Sequence, residues 1–225
     1  MTSPVQVPAE PQVMALGDEA VLVRLGTSVD STTFSRVRDL VHTLEAASLP
    51  GVLEIVPAYA SVALYMSDAS TRQAVMDAAR FLAGAPSEAA TADATSVTTH
   101  VIPVRYDGAD LESVAEACDL TVSEVVRRHS SRTYDAFALG FVPGFAYLGV
   151  LDESLRLPRR PQPRTRVPAG SVAIAGAQTA IYPFETPGGW HLIGRTTVSL
   201  FDASRDRPAL IAAGDRVRFM SIDGA

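Results

Sequence analysis

Hydrophobic residues along this chain keep two different rhythms. In the first third, short runs that read as strands (Gln12–Leu16, Ala20–Leu25, Val52–Val56, Ser61–Met66) are interleaved with stretches of helical spacing. Phe34, Val37, Val41 and Leu44 fall on one helix face, with Asp30 or Ser31 available as the cap and Pro50-Gly51 ending the unit. A second helix is predicted from about Ser70 to Leu82, closed by Gly84. The order β-β-α-β-β-α predicts an antiparallel sheet with both helices on one face, an α+β domain over residues 11–84. Residues 1–10 carry two prolines and no pattern and read as a loose tail. Residues 85–97 are small, polar and aperiodic and read as a linker.

The second rhythm starts with the alternating strand Thr99–Arg105. Two short helices follow. The first carries Leu111, Val114, Ala115 and Cys118 on one side. The second opens on a capping box, Thr121 with Glu124, and presents Val122, Val125, Val126 and His129 on a single face. From Tyr134 onward only short strands are predicted: Asp135–Leu139, Ser171–Ala175, Thr179–Tyr182, Trp190–Ile193, Thr197–Phe201 and Arg216–Met220. Short strands with Gly/Pro-rich connections predict a closed or sandwiched β domain over residues 98–225.

Charge changes this picture in one respect. The formal net charge is −6, and the excess acid lies in residues 1–97, with 5 Arg against 11 Asp and Glu. Residues 98–225 hold 14 of each and are free to concentrate arginine locally. All 19 basic residues are arginine, so a Schiff-base, P-loop or biotin-carrying lysine is excluded, as is a Ser–Lys catalytic pair. Cys118 is the sole cysteine, which excludes an internal disulfide. Its place in an apolar helical pattern reads as a small core residue. The four histidines (42, 100, 129, 191) show no metal-binding spacing, and no metal site is expected. The first residues lack the charged and apolar regions of a leader, and no apolar run approaches the ~20 residues of a membrane span. The expectation is a cytoplasmic protein without a nucleic-acid or membrane partner.

Candidate chemistry gathers between Phe137 and Arg195, where prolines and glycines fix one loop path among aromatics and arginines. Five arginines lie at 156, 159, 160, 164 and 166, and the nearest acids, Asp152 and Glu153, precede them. Guanidiniums on a proline-stiffened loop suit bidentate binding of phosphate or carboxylate; a solvated charged run is the plainer reading. Arg164-Thr165-Arg166, bracketed by Pro163 and Pro168, is the sharper subset. His129 is either a core histidine or a general acid/base at the lip of the β unit. Gln178 is either a turn residue or a reader of an amide or carboxylate. The Pro187-Gly188-Gly189-Trp190 turn can offer backbone N–H groups to an oxyanion. Phe141 and Tyr147 are expected to line a cleft near the arginines while Phe145 packs inward.

Seven ordered runs resemble one family: Ile102–Tyr106 (IPVRY), His129 with Tyr134, Leu139–Gly149 (LGFVPGFAYLG), Pro163–Ser171 (PRTRVPAGS), Ile174–Tyr182 (IAGAQTAIY), Pro187–Thr196 (PGGWHLIGRT) and Ala213–Phe219 (AGDRVRF). These are similar to the carboxyltransferase subdomain C/D proteins. That family holds the PxpB subunits of ATP-dependent bacterial 5-oxoprolinase and the kinase inhibitor KipI, and its members are often labelled allophanate hydrolase subunit 1. The resemblance implies an N-terminal α+β domain joined to a cyclophilin-like β-barrel. It implies a subunit of a complex that opens 5-oxoproline to L-glutamate with ATP hydrolysis. ATP, with Mg, would be bound together with a partner, and biotin, PLP and NAD have no place on this chain.

The implied partners are a PxpC-type subunit (carboxyltransferase subdomain A/B), a PxpA-type subunit and a small-molecule amide substrate. The implied catalytic residues are His129, Arg166 and Gln178. Arg164, Thr165, Phe141, Tyr147, Gly188, Gly189 and Arg195 would bind substrate or anion. The alternatives are a KipI-type inhibitor of a sensor histidine kinase and a subunit of an allophanate- or urea-amidolyase-like hydrolase. Amidase-signature enzymes use a Ser–Ser–Lys arrangement, which a lysine-free chain cannot build. Three departures stand out: Ala146 where the run usually has proline, Arg160-Pro161-Gln162 before PRTR, and a short Asp107–Asp110 loop.

Overall fold

The computed structural model describes residues 10–85 and 97–222. The expected tail and linker lie almost entirely outside the described residues. The chain divides into two compact units, Met1–Ser96 and Val97–Ala225.

In the first unit, β1 (Gln12–Ala15), β2 (Ala20–Arg24), β3 (Val52–Ala58) and β4 (Ser61–Met66) form an antiparallel sheet in the order β1-β2-β4-β3. Helices α1 (Ser31–Ala47) and α2 (Arg72–Gly84) pack on it and on each other, as the pattern predicts. Asp30 is the cap of α1, accepting the Thr33 N–H at 2.8 Å. The buried stripe runs through Phe34, Val37, Leu40 and Leu44, so Leu40 takes the inward place expected of Val41. On the sheet Val21, Val23, Val62 and Leu64 are fully buried.

The second unit is built on a seven-stranded sheet of β5 (Thr99–Val104), β6 (Thr133–Leu139), β7 (Ala146–Gly149), β9 (Ser171–Ala175), β10 (Gln178–Ile181), β12 (His191–Arg195) and β13 (Arg216–Ser221). The strand order is β12-β9-β10-β7-β6-β13-β5. A single antiparallel bridge joins the two edges: the Arg105 N–H donates to the Arg195 carbonyl at 2.9 Å, and the Arg195 N–H returns to the Arg105 carbonyl at 2.8 Å. The sheet thereby curls into a nearly closed barrel. Its interior is filled by Ile102, Val104, Tyr134, Leu148, Val172, Ile174, Ile193 and Phe219, among others. Helices α3 (Leu111–Ala117) and α4 (Val122–Ser130) pack on β12 and β13 respectively.

Two features correct the pattern reading, and a third, the mixed sheet, lies outside what it addressed. The sheet is mixed, because β13 lies parallel to β5 and antiparallel to β6. The whole barrel separates β5 from β13, and a long connection permits the parallel pair. The expected strand Thr197–Phe201 makes only one isolated bridge, from Phe201 to Ala209. Its alternation instead places Leu200 in the core and Val198 against it without a ladder. Conversely, β8 (Arg164–Val167) and β11 (Thr186–Gly188) pair as a two-stranded ribbon in a stretch whose prolines and glycines predict only loops.

Candidate functional site

The barrel seam is also where the arginines collect. After β5 the chain runs through Arg105–Asp110 tightly against β12. A β-carbon on Gly108 would collide with the backbone of Leu192 and Ile193, and one on Gly194 would come within 2.6 Å of the Arg105 carbonyl oxygen. Glycine at both positions lets the two segments touch. This delivers Asp110, only 3% exposed, to the start of α3. Its carboxylate caps nothing there. It accepts Arg160 Nη1 at 2.7 Å, Arg164 Nη1 and Nη2 at 2.9 and 2.7 Å, and the Leu192 N–H at 2.7 Å. Burial pushes the Asp110 carboxyl up. The Arg164 and Leu192 hydrogen bonds and both guanidinium charges outweigh it, leaving the group below the usual carboxylate range.

Asp110 therefore ties the β8–β11 ribbon to the barrel. Next to this tie lies a cavity of about 470 Å³, lined by Asp107, Gly108, Arg164, Arg166, Gly194 and Arg195 among others. Arg166 Nε and Nη2 reach Glu185 Oε1 at 2.9 and 2.7 Å, with the side chains 76% and 50% exposed. Arg195 Nη2 donates to Asp107 Oδ2 at 2.7 Å. A second hollow of about 310 Å³ lies on the same seam between Arg105, Arg195, Thr196 and Thr197.

The structure separates the predicted site residues into distinct places. Arg164, Arg166 and Arg195 converge on the cavity, with Thr165 exposed on β8 between the first two. His129 does not join them, which corrects its placement at the lip of the β unit. It is fully buried, stacks on Phe219 at 4.5 Å, and its Nδ1 and Nε2 lie 2.7 Å from Tyr106 Oη and 2.8 Å from Thr179 Oγ1. Burial lowers its pKa to about 3, so it is a neutral core histidine.

Gln178 sits on β10 opposite Ala175, whereas Ser171 at the other end of β9 borders the cavity. Four residues of strand put about 13 Å between those ends. Gln178 therefore lies at the end of the strand pair away from the arginine-lined cavity.

Phe141 and Tyr147 do not line the arginine cavity either, and their expected place is corrected in the same way. They flank the buried Phe145, whose ring contacts Phe141, Tyr147, Tyr182 and Trp190 edge-on at 5.0–5.9 Å between centroids. The turn at Pro143-Gly144 does send Phe145 inward: Phe145 is 2% exposed and Phe141 58%. Gly188 lies against the Tyr182 hydroxyl, where a side chain would clash, and Gly189 against Pro163. Gly188 serves packing of the ribbon on the aromatic cluster, whereas a β-carbon at Gly189 would make only ordinary contact with Pro163.

The residue missed by sequence reasoning is Asp110. It has a local signal, an acid next to a glycine-bearing turn at a helix start, but its partners lie 50 and 54 residues away.

The sequence model of the family described as carboxyltransferase domain, subdomain C and D, matches residues 11–211. The chain belongs to this family. It is 41% identical over 208 residues to the B subunit of 5-oxoprolinase from Escherichia coli O157:H7, covering 91% of this chain and 93% of that one. It is 34% identical over 226 residues to the B subunit of 5-oxoprolinase from Bacillus subtilis (strain 168), covering 94% and 92%. Among solved structures, TTHA0988 superposes with a TM-score of 0.77 at 40% identity; 92% of this chain is covered but only 40% of that longer chain. The urea amidolyase of K. lactis superposes at 0.70 with 19% identity, covering 98% of this chain and 16% of that one, and shares the fold.

Among the described residues no helix is long and apolar enough to cross a membrane.

Proposed function

We propose that this chain is the B-type subunit of an ATP-dependent 5-oxoprolinase, a heteromeric hydrolase that opens the lactam of 5-oxoproline to L-glutamate, and that the arginine-lined cavity is its contribution to the shared site. The observation that carries this reading is the convergence of Arg164, Arg166 and Arg195 on one cavity of a family member. Two relatives of nearly equal length that bear the name of this 5-oxoprolinase component support it.

A lactam carbonyl is a weak electrophile, and its substrate carries a carboxylate. ATP would supply the activation by phosphorylating the amide oxygen, which would make the ring carbon electrophilic enough for water to add and the ring nitrogen to leave as the amine, with phosphate released when the resulting acyl phosphate is hydrolysed. The reaction then develops negative charge on phosphoryl and carboxyl oxygens, and fixed cationic donors aimed at those oxygens lower its barrier. Arg164, held from behind by Asp110, contributes a fixed positive charge. Arg166 and Arg195, on the open side, present planar donor edges that fit carboxylate or phosphate. The remaining machinery, including the nucleotide and Mg, would come with a C-type subunit (carboxyltransferase subdomain A/B) and an A-type subunit.

The test is reconstitution. The purified chain is combined with A- and C-type subunits, and glutamate release from 5-oxoproline is measured with and without ATP. Glutamate should be released only with ATP and only with this chain present. Equal release when this chain is omitted would overturn it.

A further inference from the structure

The three guanidiniums facing the cavity are held in two different ways. Arg164 is locked: both Nη atoms donate to a carboxylate that is almost entirely buried. Arg160 shares the same carboxylate, so one acid faces two cations and a positive charge is left over beside the cavity. Arg166 and Arg195 are held loosely, each by a carboxylate on the rim. Their side chains are 76% and 64% exposed, those of Glu185 and Asp107 are 50% and 37% exposed, and each pair rests on the N–H edges that an oxyanion would use.

We infer that Glu185 and Asp107 are built-in competitors that set the affinity of this cavity for small organic anions, by occupying the donor edges of Arg166 and Arg195 that a ligand carboxylate or phosphate takes over. The inference rests on the reading of the cavity as an anion site. Exposed ion pairs are weak and exchange partners readily. An anion entering the cavity meets the same two guanidiniums together with the uncompensated charge behind Arg164, which a single rim acid does not. It displaces Glu185 and Asp107 to water, where both stay solvated.

Neither acid would be a ligand contact, and removing its charge should tighten binding. A merely structural role for the pairs would loosen the arginines and weaken it.

The experiment is calorimetric titration of the full chain with inorganic phosphate and with 5-oxoproline as separate probes. Glu185→Gln and Asp107→Asn preserve side-chain size. Glu153→Gln, an 87% exposed acid on the 3-10 turn at Glu153–Leu155, controls for net charge. Each rim variant should bind more tightly by about two- to fivefold, the scale set by an exposed ion pair, and the control should match the parent. Binding by all forms with equal affinity, or weaker binding by the rim variants, overturns the inference and leaves the anion site standing. Absence of binding of either probe to every form removes the anion-site reading and the inference together.

Discussion

Arg164 and Asp110, 54 positions apart in sequence, meet through two parallel hydrogen bonds, Nη1 to Oδ2 at 2.9 Å and Nη2 to Oδ1 at 2.7 Å. This fork joins the β8–β11 ribbon to the start of α3. With Arg160 and the Leu192 N–H on the same carboxylate, it fixes the wall of the cavity.

Asp110→Ala should therefore destabilise the barrel strongly, by about 3 kcal/mol, because two partly buried guanidiniums lose their counter-charge. The pH dependence has a definite sign. The folded pKa of Asp110 lies below the unfolded value of about 3.9, so its stabilisation is complete above that pH and is lost as pH falls through the folded value. Asp110→Asn should lower stability at pH 7 and lose less of it in acid. Urea unfolding at pH 7 and pH 3 checks both.

His129 makes a second pH prediction. Its folded pKa is about 3 against an ordinary 6.5, so the unfolded chain takes up a proton that the folded chain refuses. Stability should fall as pH drops from about 6.5 towards 3. His129→Gln should be less stable at pH 7 and show a flatter decline over that range. Nitrogen chemical shifts of the imidazole should report a neutral ring at pH 5.

The aromatic cluster separates core from surface. Phe145→Ala should cost about 3–5 kcal/mol, the range for truncating a buried phenylalanine. Phe141→Ala, at an exposed position, should leave the Tm of the isolated chain nearly unchanged. A comparable fall in Tm for both variants would make Phe141 a core residue.

How much of this is legible in the sequence depends on the range of the interactions. Strand and helix periodicity delivers the α+β layer and most barrel strands, since each element's pattern is local. The fork of Asp110 is not legible: of the acids beside the arginine run in sequence Glu153 pairs with Arg156, whereas Arg160 and Arg164 are held by Asp110 and Arg166 by Glu185. The ribbon β8–β11 is hidden by prolines and glycines, which read as loop. His129 shows an apolar helical setting that favours a core histidine. Its partner Thr179 lies 50 residues away and carries no local mark. Convergence of Arg164, Arg166 and Arg195 is expected from the resemblance rather than from spacing.

The isolated chain should not hydrolyse 5-oxoproline. Among the described residues no group of three or more His, Cys, Asp or Glu is placed to hold a metal ion. The carboxylates at the candidate cavity, Asp107 and Glu185, are each paired with an arginine. Robust ATP-dependent turnover by the purified single chain, free of other subunits, would contradict this.

The central claim is that this chain lends its arginines to a shared 5-oxoprolinase site, and the most direct test is the rate of ATP-dependent glutamate release by the reconstituted complex carrying Arg166→Ala or Arg195→Ala. Both side chains are largely exposed and paired only at the rim, so Tm and assembly should be unchanged. In each variant kcat/KM should fall at least about tenfold, roughly 1.4 kcal/mol of transition-state binding. Unchanged kinetics in both variants would contradict it and leave the arginines as a solvated face.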